Sequence, residues 1–248
     1  IQQLALENGN QNVLATDLKQ PIAPLANIAF RQIDALNYDS VRQAVIDFGA
    51  DEVYLLAALL SATAEQKPLK GWELNTQTLF HVLELAKEGL IKKVFFPSSI
   101  AVFGSTTPRA LTPQQTIIEP ETVYGISKQA GEQWCAYYHN KYGVDVRSIR
   151  YPGLISYKAE PGGGTTDYAV KIFYDALQGK SHNCFLNQDT RLPMMYMPDA
   201  IRGTREIMKA DRSKFSIHNS YNFAAFSFTP TEIYDAIKSH IPSFKITF

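Results

Sequence analysis

The sequence predicts a doubly wound α/β architecture, and three observations carry that expectation. Strand and helix patterns alternate through the first 150 residues. Strands such as Val53-Tyr54-Leu55-Leu56-Ala57 and Val94-Phe95-Phe96 are near-continuous apolar runs, as in a parallel sheet covered on both faces. The helices between them place apolar residues on one face and stop at glycines.

In order, residues 12–17 read as a short buried strand and residues 28–35 as a second. A helix follows with Val41, Ala44, Val45 and Phe48 on one face, Asp39 or Ser40 as N-cap and Gly49 past its end. Residues 52–57 form the next strand. A helix carrying Leu79, Val82, Leu83 and Ala86 then runs to Gly89. Residues 94–96 are a strand ending in Pro97-Ser98-Ser99, a helix spans about 124–142, and 145–150 is a further strand. The expected organisation is a dinucleotide-binding part at 1–150 and a mainly substrate-binding part at 151–248, interleaved with the sheet and less regular because it is richer in Gly, Pro and Tyr.

The opening residues, Ile1 to Gly9, read as the back half of a helix ending at a glycine. A dinucleotide-binding sheet normally starts with a strand and a G-x-G-x-x-G turn, and none of the 14 glycines makes that pattern. The expectation is that this strand and turn, roughly 15–20 residues, lie upstream. The alternative is a sheet that lacks the strand.

Composition narrows the function classes. The chain of 248 residues is 45% hydrophobic and 19% charged, with zero formal net charge. It shows no basic stripe for nucleic acid and no apolar run of membrane-spanning length. Cys135 and Cys184 are too few for a disulfide framework and read as small buried hydrophobes. With no targeting segment in view, the expected compartment is the cytoplasm or the mitochondrial matrix. The five histidines have no metal-ligand spacing, so no metal is expected, and neither a G-x-S-x-G elbow nor a Walker loop occurs. Met194, Met195 and Met197 read as packing that could also line a pocket.

In parallel sheets ligands sit beyond the carboxyl ends of the strands. A cofactor is expected at Asp17, Leu18, Asp34, Ala35, Leu56, Ala57, Ala58, Asn75, Tyr124, Lys128, Tyr151 and Pro152. Asp17 can accept hydrogen bonds from both adenosine ribose hydroxyls and would repel a 2′-phosphate, which favours NAD. Asp34 can meet the adenine amino group. Each acid could instead be a surface cap.

Tyr124 and Lys128 are one helical turn apart, so phenol and ammonium can share a face. Tyr137 with Lys141 and Tyr234 with Lys238 have the same spacing. Context favours Tyr124, which begins its helix, and Ser99 at the end of a strand adds a hydroxyl for the substrate oxygen. Ser98 and Ser99 could also merely satisfy backbone groups as the strand turns. A free phenol titrates near 10, too high for a base at neutral pH. Lys128 and an oxidised nicotinamide would both favour phenolate, letting Tyr124 take a hydroxyl proton as hydride leaves the carbinol carbon, with Ser99 stabilising the oxygen.

The segments Phe96-Pro97-Ser98-Ser99-Ile100-Ala101-Val102-Phe103-Gly104 and Val123-Tyr124-Gly125-Ile126-Ser127-Lys128 resemble the extended short-chain dehydrogenases of the NAD-dependent epimerase/dehydratase group, with a Rossmann-like fold. Residues 147–158, 164–170 and 192–200 carry a closer resemblance to the short-chain type of L-threonine 3-dehydrogenase. The resemblance implies oxidation of the β-hydroxyl of L-threonine to 2-amino-3-ketobutyrate with NAD. It implies Tyr124, Lys128 and Ser99 as catalytic residues. Ser61, Ser98, Thr165 and Thr166, with Ser99 and Tyr124, are expected at the substrate. It also implies a homodimer packed through the helix from Trp72 and the helix from Tyr124. Two other functions compete: a sugar-nucleotide epimerase or dehydratase with a recycled cofactor, and a non-catalytic NAD-binding scaffold or sensor.

Overall fold

The computed structural model describes all residues except 22–24, 26, 159 and 163. The chain begins with α1 (Gln2–Asn8), followed by the parallel pair β1 (Leu14–Asp17) and β2 (Ala29–Gln32). Helix α2 (Tyr38–Phe48) starts two to three residues earlier than its expected caps imply. Its N-cap is Asn37, whose side chain accepts from Ser40 N at 3.0 Å, and not Asp39 or Ser40. Gly49 closes it in the left-handed region, φ 66°, where a Cβ would be strained.

Next come β3 (Glu52–Tyr54), shorter than expected, then α3 (Ser61–Gln66) and α4 (Pro68–Lys87). Strand β4 (Lys93–Ser99), α5 (Val123–Tyr142) and β5 (Val146–Tyr151) complete the alternation. Beyond them run β6 (Gly153–Ile155), α6 (Tyr168–Leu177), β7 (His182–Asn183), β8 (Leu192–Tyr196) and α7 (Met197–Lys209). The chain ends with β9 (Tyr221–Asn222), β10 (Phe226–Phe228), α8 (Pro230–Lys238) and β11 (Ile246–Thr247).

The fold is α/β with a parallel, Rossmann-like sheet, as expected. Among the described residues parallel pairing joins β1–β2 and β3–β4–β5–β9, and also β6 with β8 and β7 with β11. Among the same residues β1 and β3 are not hydrogen-bonded to each other.

The main core lies between the four-stranded group and helices α4 and α5. Leu79, Leu83 and Leu85 of α4 and Val94 and Phe96 of β4 are all 2% exposed or less. Gly131 of α5 is obligatory there, because a Cβ would stand 2.4 Å from the Phe96 ring. On the other face α7 packs against β5. Arg147 of β5, itself buried, donates from Nη1 to the carbonyls of Ile207, Met208 and Ala210, each at 2.7 Å. It thereby satisfies the exposed carbonyl end of α7.

The part after Tyr151 is more regular than its Gly, Pro and Tyr content suggests. Those residues punctuate short elements, and α6, β8 and α8 close a second core around Tyr168, Ile172, Met194 and Ile237. The chain then returns to the main sheet through β9, parallel to β5. Met194 and Met195 are buried packing residues, and Cys135 and Cys184 are free and buried. No helix among the described residues is long and apolar enough to cross a membrane.

Candidate active site

The start of α5 is held at the carboxyl end of β4 by three local devices. Thr122 Oγ1 accepts from Gly125 N at 3.0 Å, and Glu65 of α3 accepts from Val123 N at 2.6 Å. Both satisfy amides that a helix N-terminus leaves unpaired. Gly125 lets the helix meet the turn after β4, since a Cβ there would lie 2.1 Å from the Ala101 carbonyl oxygen.

This junction brings Ser99, Tyr124 and Lys128 together. The Ser99 hydroxyl lies beside the Tyr124 phenol, near enough to hold its pKa down against burial. Ser99 Oγ also accepts from Ala101 N at 3.1 Å, so it caps the turn as well as meeting the phenol. Lys128 is 4% exposed. Its Nζ donates to the Pro97 carbonyl at 2.7 Å and lies 5.5 Å from the centre of the Tyr124 ring and 4.7 Å from that of Phe96.

The electrostatics differ from the expectation that the ammonium lowers the phenol. Burial pushes the Tyr124 phenol above its ordinary value, and the Ser99 hydroxyl works against that rise. The ammonium points at the Pro97 carbonyl, beneath the ring, and not at the hydroxyl. Burial also pushes Lys128 down, to about 8, against the pull of Cys135 and Glu132.

The other two tyrosine–lysine pairs have good spacing in the wrong surroundings. Lys141 donates directly to Tyr137 Oη at 2.9 Å, yet Tyr137 is 42% exposed in an aromatic cluster with Trp134, Tyr138 and Tyr142. Tyr234 donates to the Phe244 carbonyl at 3.4 Å, with Lys238 over its ring.

The expected cofactor residues divide. Asp17 and Asp34 are exposed at the ends of β1 and β2, each with one carboxylate oxygen accepting from the amide two residues on. Leu18 and Leu56 are 59% and 63% exposed. Ala57 is exposed, and Ala35 and Ala58 are half-buried. An apolar floor beside two exposed carboxylates at strand carboxyl ends fits a dinucleotide.

Asn75 and Tyr151 both engage their side chains within the protein. Asn75 is buried and spends its amide inside the protein: Oδ1 accepts from Leu59 N at 2.8 Å, while Nδ2 donates to Leu59 O at 3.2 Å and Ser127 Oγ at 3.1 Å. It holds the loop after β3 against α4 and α5. The Tyr151 hydroxyl bonds to Thr204 of α7, and its ring packs between Phe95 and Phe223. Burial pushes it to about 12. Tyr151 is half-buried and Pro152 is buried.

Among the substrate residues, Ser98 is the correction. Side chains alternate along a strand, so Ser98 points away from its neighbour Ser99. Its hydroxyl donates to the fully buried Glu132 at 2.5 Å. Ser61 opens α3 and is half-buried. Thr165 is exposed, and Thr166 packs on Gly153, where a Cβ would lie 2.7 Å away. Sequence reasoning missed Glu132 and Glu65. The available signal for Glu132 was a carboxylate on the inward face of α5, two turns from Tyr124.

Residues 2–223 match the NAD dependent epimerase/dehydratase family. An uncharacterized epimerase/dehydratase of Staphylococcus haemolyticus is 46% identical over 242 residues, 97% of this chain and 76% of that protein. The holo structure of a GalE-like L-threonine dehydrogenase from Cupriavidus necator superposes with a TM-score of 0.96 at 52% identity, covering 99% of this chain and 79% of that one. An L-threonine dehydrogenase from Clostridium difficile gives 0.94 at 44% identity, covering 98% and 77%. UDP-glucose 4-epimerase from Thermotoga maritima, at 18% identity and a TM-score of 0.83, shares the fold. With a phenol, a hydroxyl and an ammonium assembled at the sheet's carboxyl edge and the family matched over most of its length, the chain belongs to the NAD dependent epimerase/dehydratase family and NAD is its cofactor.

Proposed function

We propose that this chain oxidises the β-hydroxyl of L-threonine to 2-amino-3-ketobutyrate. The observation that carries the proposal is the Ser99–Tyr124–Lys128 assembly, in a chain 52% identical to an L-threonine dehydrogenase. NAD, when bound, supplies the hydride acceptor. As the phenolate that the Lys128 ammonium and an oxidised nicotinamide would favour, Tyr124 takes the hydroxyl proton, and Ser99 holds the same substrate oxygen and stabilises its developing charge. Lys128 keeps a positive charge beneath the Tyr124 ring. Asp17 receives the adenosine ribose hydroxyls. Ser61, Thr165 and Thr166 hold the amino-acid end with hydroxyls, which suits a zwitterion.

Trp72, Trp134 and Tyr137, each over 40% exposed on α4 and α5, make the face through which a homodimer would pack.

The test is NADH formation from L-threonine by the chain and by Tyr124→Phe. Loss of the phenol should lower kcat by about 100-fold or more, the usual scale of a general base. Threonine oxidation that survives Tyr124→Phe refutes the mechanism. Turnover of a UDP-sugar without net NADH, in place of threonine oxidation, refutes the substrate and supports an epimerase.

A further inference from the structure

Three successive turns of α5 present Tyr124, Lys128 and Glu132, and three consecutive residues of β4 receive them. Ser99 stands beside the Tyr124 phenol, the Pro97 carbonyl accepts from Lys128, and Ser98 donates to Glu132. Glu132 is 0% exposed and meets Arg150, 1% exposed, in a forked ion pair. Arg150 Nε lies 2.9 Å from Oε1 and Nη2 lies 2.7 Å from Oε2. Arg150 Nη1 is held in turn by Asn222 Oδ1 at 2.9 Å.

A buried ion pair is a poor way to gain stability, because an apolar pair of the same volume is often as good or better. This one stands one helical turn from the lysine of the site, on the same face of α5.

We propose that Glu132 is a positioning residue for the reaction at Tyr124: its carboxylate, fixed by Arg150 and Ser98, is the counter-charge that keeps the Lys128 ammonium protonated beneath the phenol. The proposal rests on the reading of Tyr124 as the acid/base.

The groups around Lys128 leave this task to Glu132. From α5 come Tyr124, Glu132 and Cys135; from β4 come only the Pro97 carbonyl and the Phe96 ring; from β5 comes Arg150, already paired with Glu132. Burial drives the Cys135 thiol far up, so it stays neutral. Burial also drives Lys128 toward the neutral amine, and the Glu132 carboxylate opposes that drive. Without it the ammonium loses its proton at lower pH, and a Tyr124 phenolate loses the cation beneath it.

The experiment follows Lys128 directly, in the purified protein without added cofactor. Its side chain is titrated by ¹³C NMR of labelled lysines, with the resonance identified by its absence from Lys128→Met. The variants are Glu132→Gln, Glu132→Asp and the double variant Glu132→Gln/Arg150→Met. The double variant removes both charges, so no unpaired guanidinium is left in the core, and it carries the test if the single variant does not fold.

The expected result is titration about one pH unit lower in Glu132→Gln and a smaller fall in the double variant, where loss of the Arg150 charge acts the opposite way, with Glu132→Asp returning toward the parent. The alkaline limb of the kcat/KM profile for threonine oxidation should move with it. A purely structural role would lower the amplitude and leave that limb in place. Lys128 titrating at the parent's pH in the folded variants, with Tyr124-dependent turnover intact, overturns the proposal alone. Absence of Tyr124-dependent turnover in the parent defeats the functional reading, and with it the reaction Glu132 would serve.

Discussion

Replacing Gly125 by alanine puts one methyl group where the start of α5 meets the turn after β4. That carbon would stand 2.1 Å from the Ala101 carbonyl oxygen and 2.8 Å from Pro120 Cβ. Contacts below 3.0 Å are not sustained, and the nearer obstacle is backbone. The helix start must therefore retreat by roughly 1 Å, and Tyr124, the preceding residue, moves with it. Overpacking of this size costs about 1–3 kcal/mol. For a chain of this length that corresponds to a fall in Tm of roughly 2–12 °C. The same retreat separates the phenol from Ser99, and a misplacement of about 1 Å costs on the order of 100-fold in rate. Thermal unfolding followed by circular dichroism reads the first quantity, and NADH formation from L-threonine at saturating NAD reads the second. Gly125→Ala with the parent Tm and the parent kcat would refute the claim that this close approach sets the phenol's position. A lower Tm with unchanged kcat would refute only its link to catalysis.

Other outcomes follow from the same geometry. Tyr137→Phe removes the hydroxyl of the exposed pair, so stability should change by no more than about 0.5 kcal/mol and threonine turnover should stay at the parent level; a large loss of kcat would move the site to the wrong tyrosine. Leu83→Ala, at a fully buried position between α4 and the sheet, should cost about 2–5 kcal/mol in chemical denaturation. Glu7 ties α1 to α7 through Arg205 at 2.8 Å and Lys209 at 2.5 Å, and these partners hold its carboxyl down at about 2. A depressed carboxyl contributes stability above the ordinary glutamate value, ~4.3, and loses it as pH falls toward 2. The Tm gap between the parent and Glu7→Gln should therefore be open near neutrality and closed at the acid end; a gap independent of pH would mean the ion pairs are not its source.

Much of the fold was legible because its signals are local. The 3.6-residue stripe of α4, the apolar run of β4 and the glycines at 49 and 89 each act within a few residues of themselves. Helix α2 shows the limit of such signals, since Asn37 wins the cap over Asp39 and Ser40 by the geometry of one turn. The regular elements after Tyr151 were hidden because short strands such as β9 are defined by the partner they find, and β5 is distant in sequence.

By itself the sequence determined the architecture, the strand ends where a ligand can sit, and the Ser99, Tyr124 and Lys128 candidates, because periodicity and one-turn spacing are properties of neighbouring residues. Tertiary structure alone decided that the Tyr137 pair is a surface contact, that Ser98 faces Glu132 while Ser99 faces the phenol, and that the Asn75 amide is consumed by the loop at Leu59. It also decided that a buried Glu132–Arg150 pair stands behind Lys128. Each of these depends on burial and on contacts between distant segments, and both come into being only when the layers close.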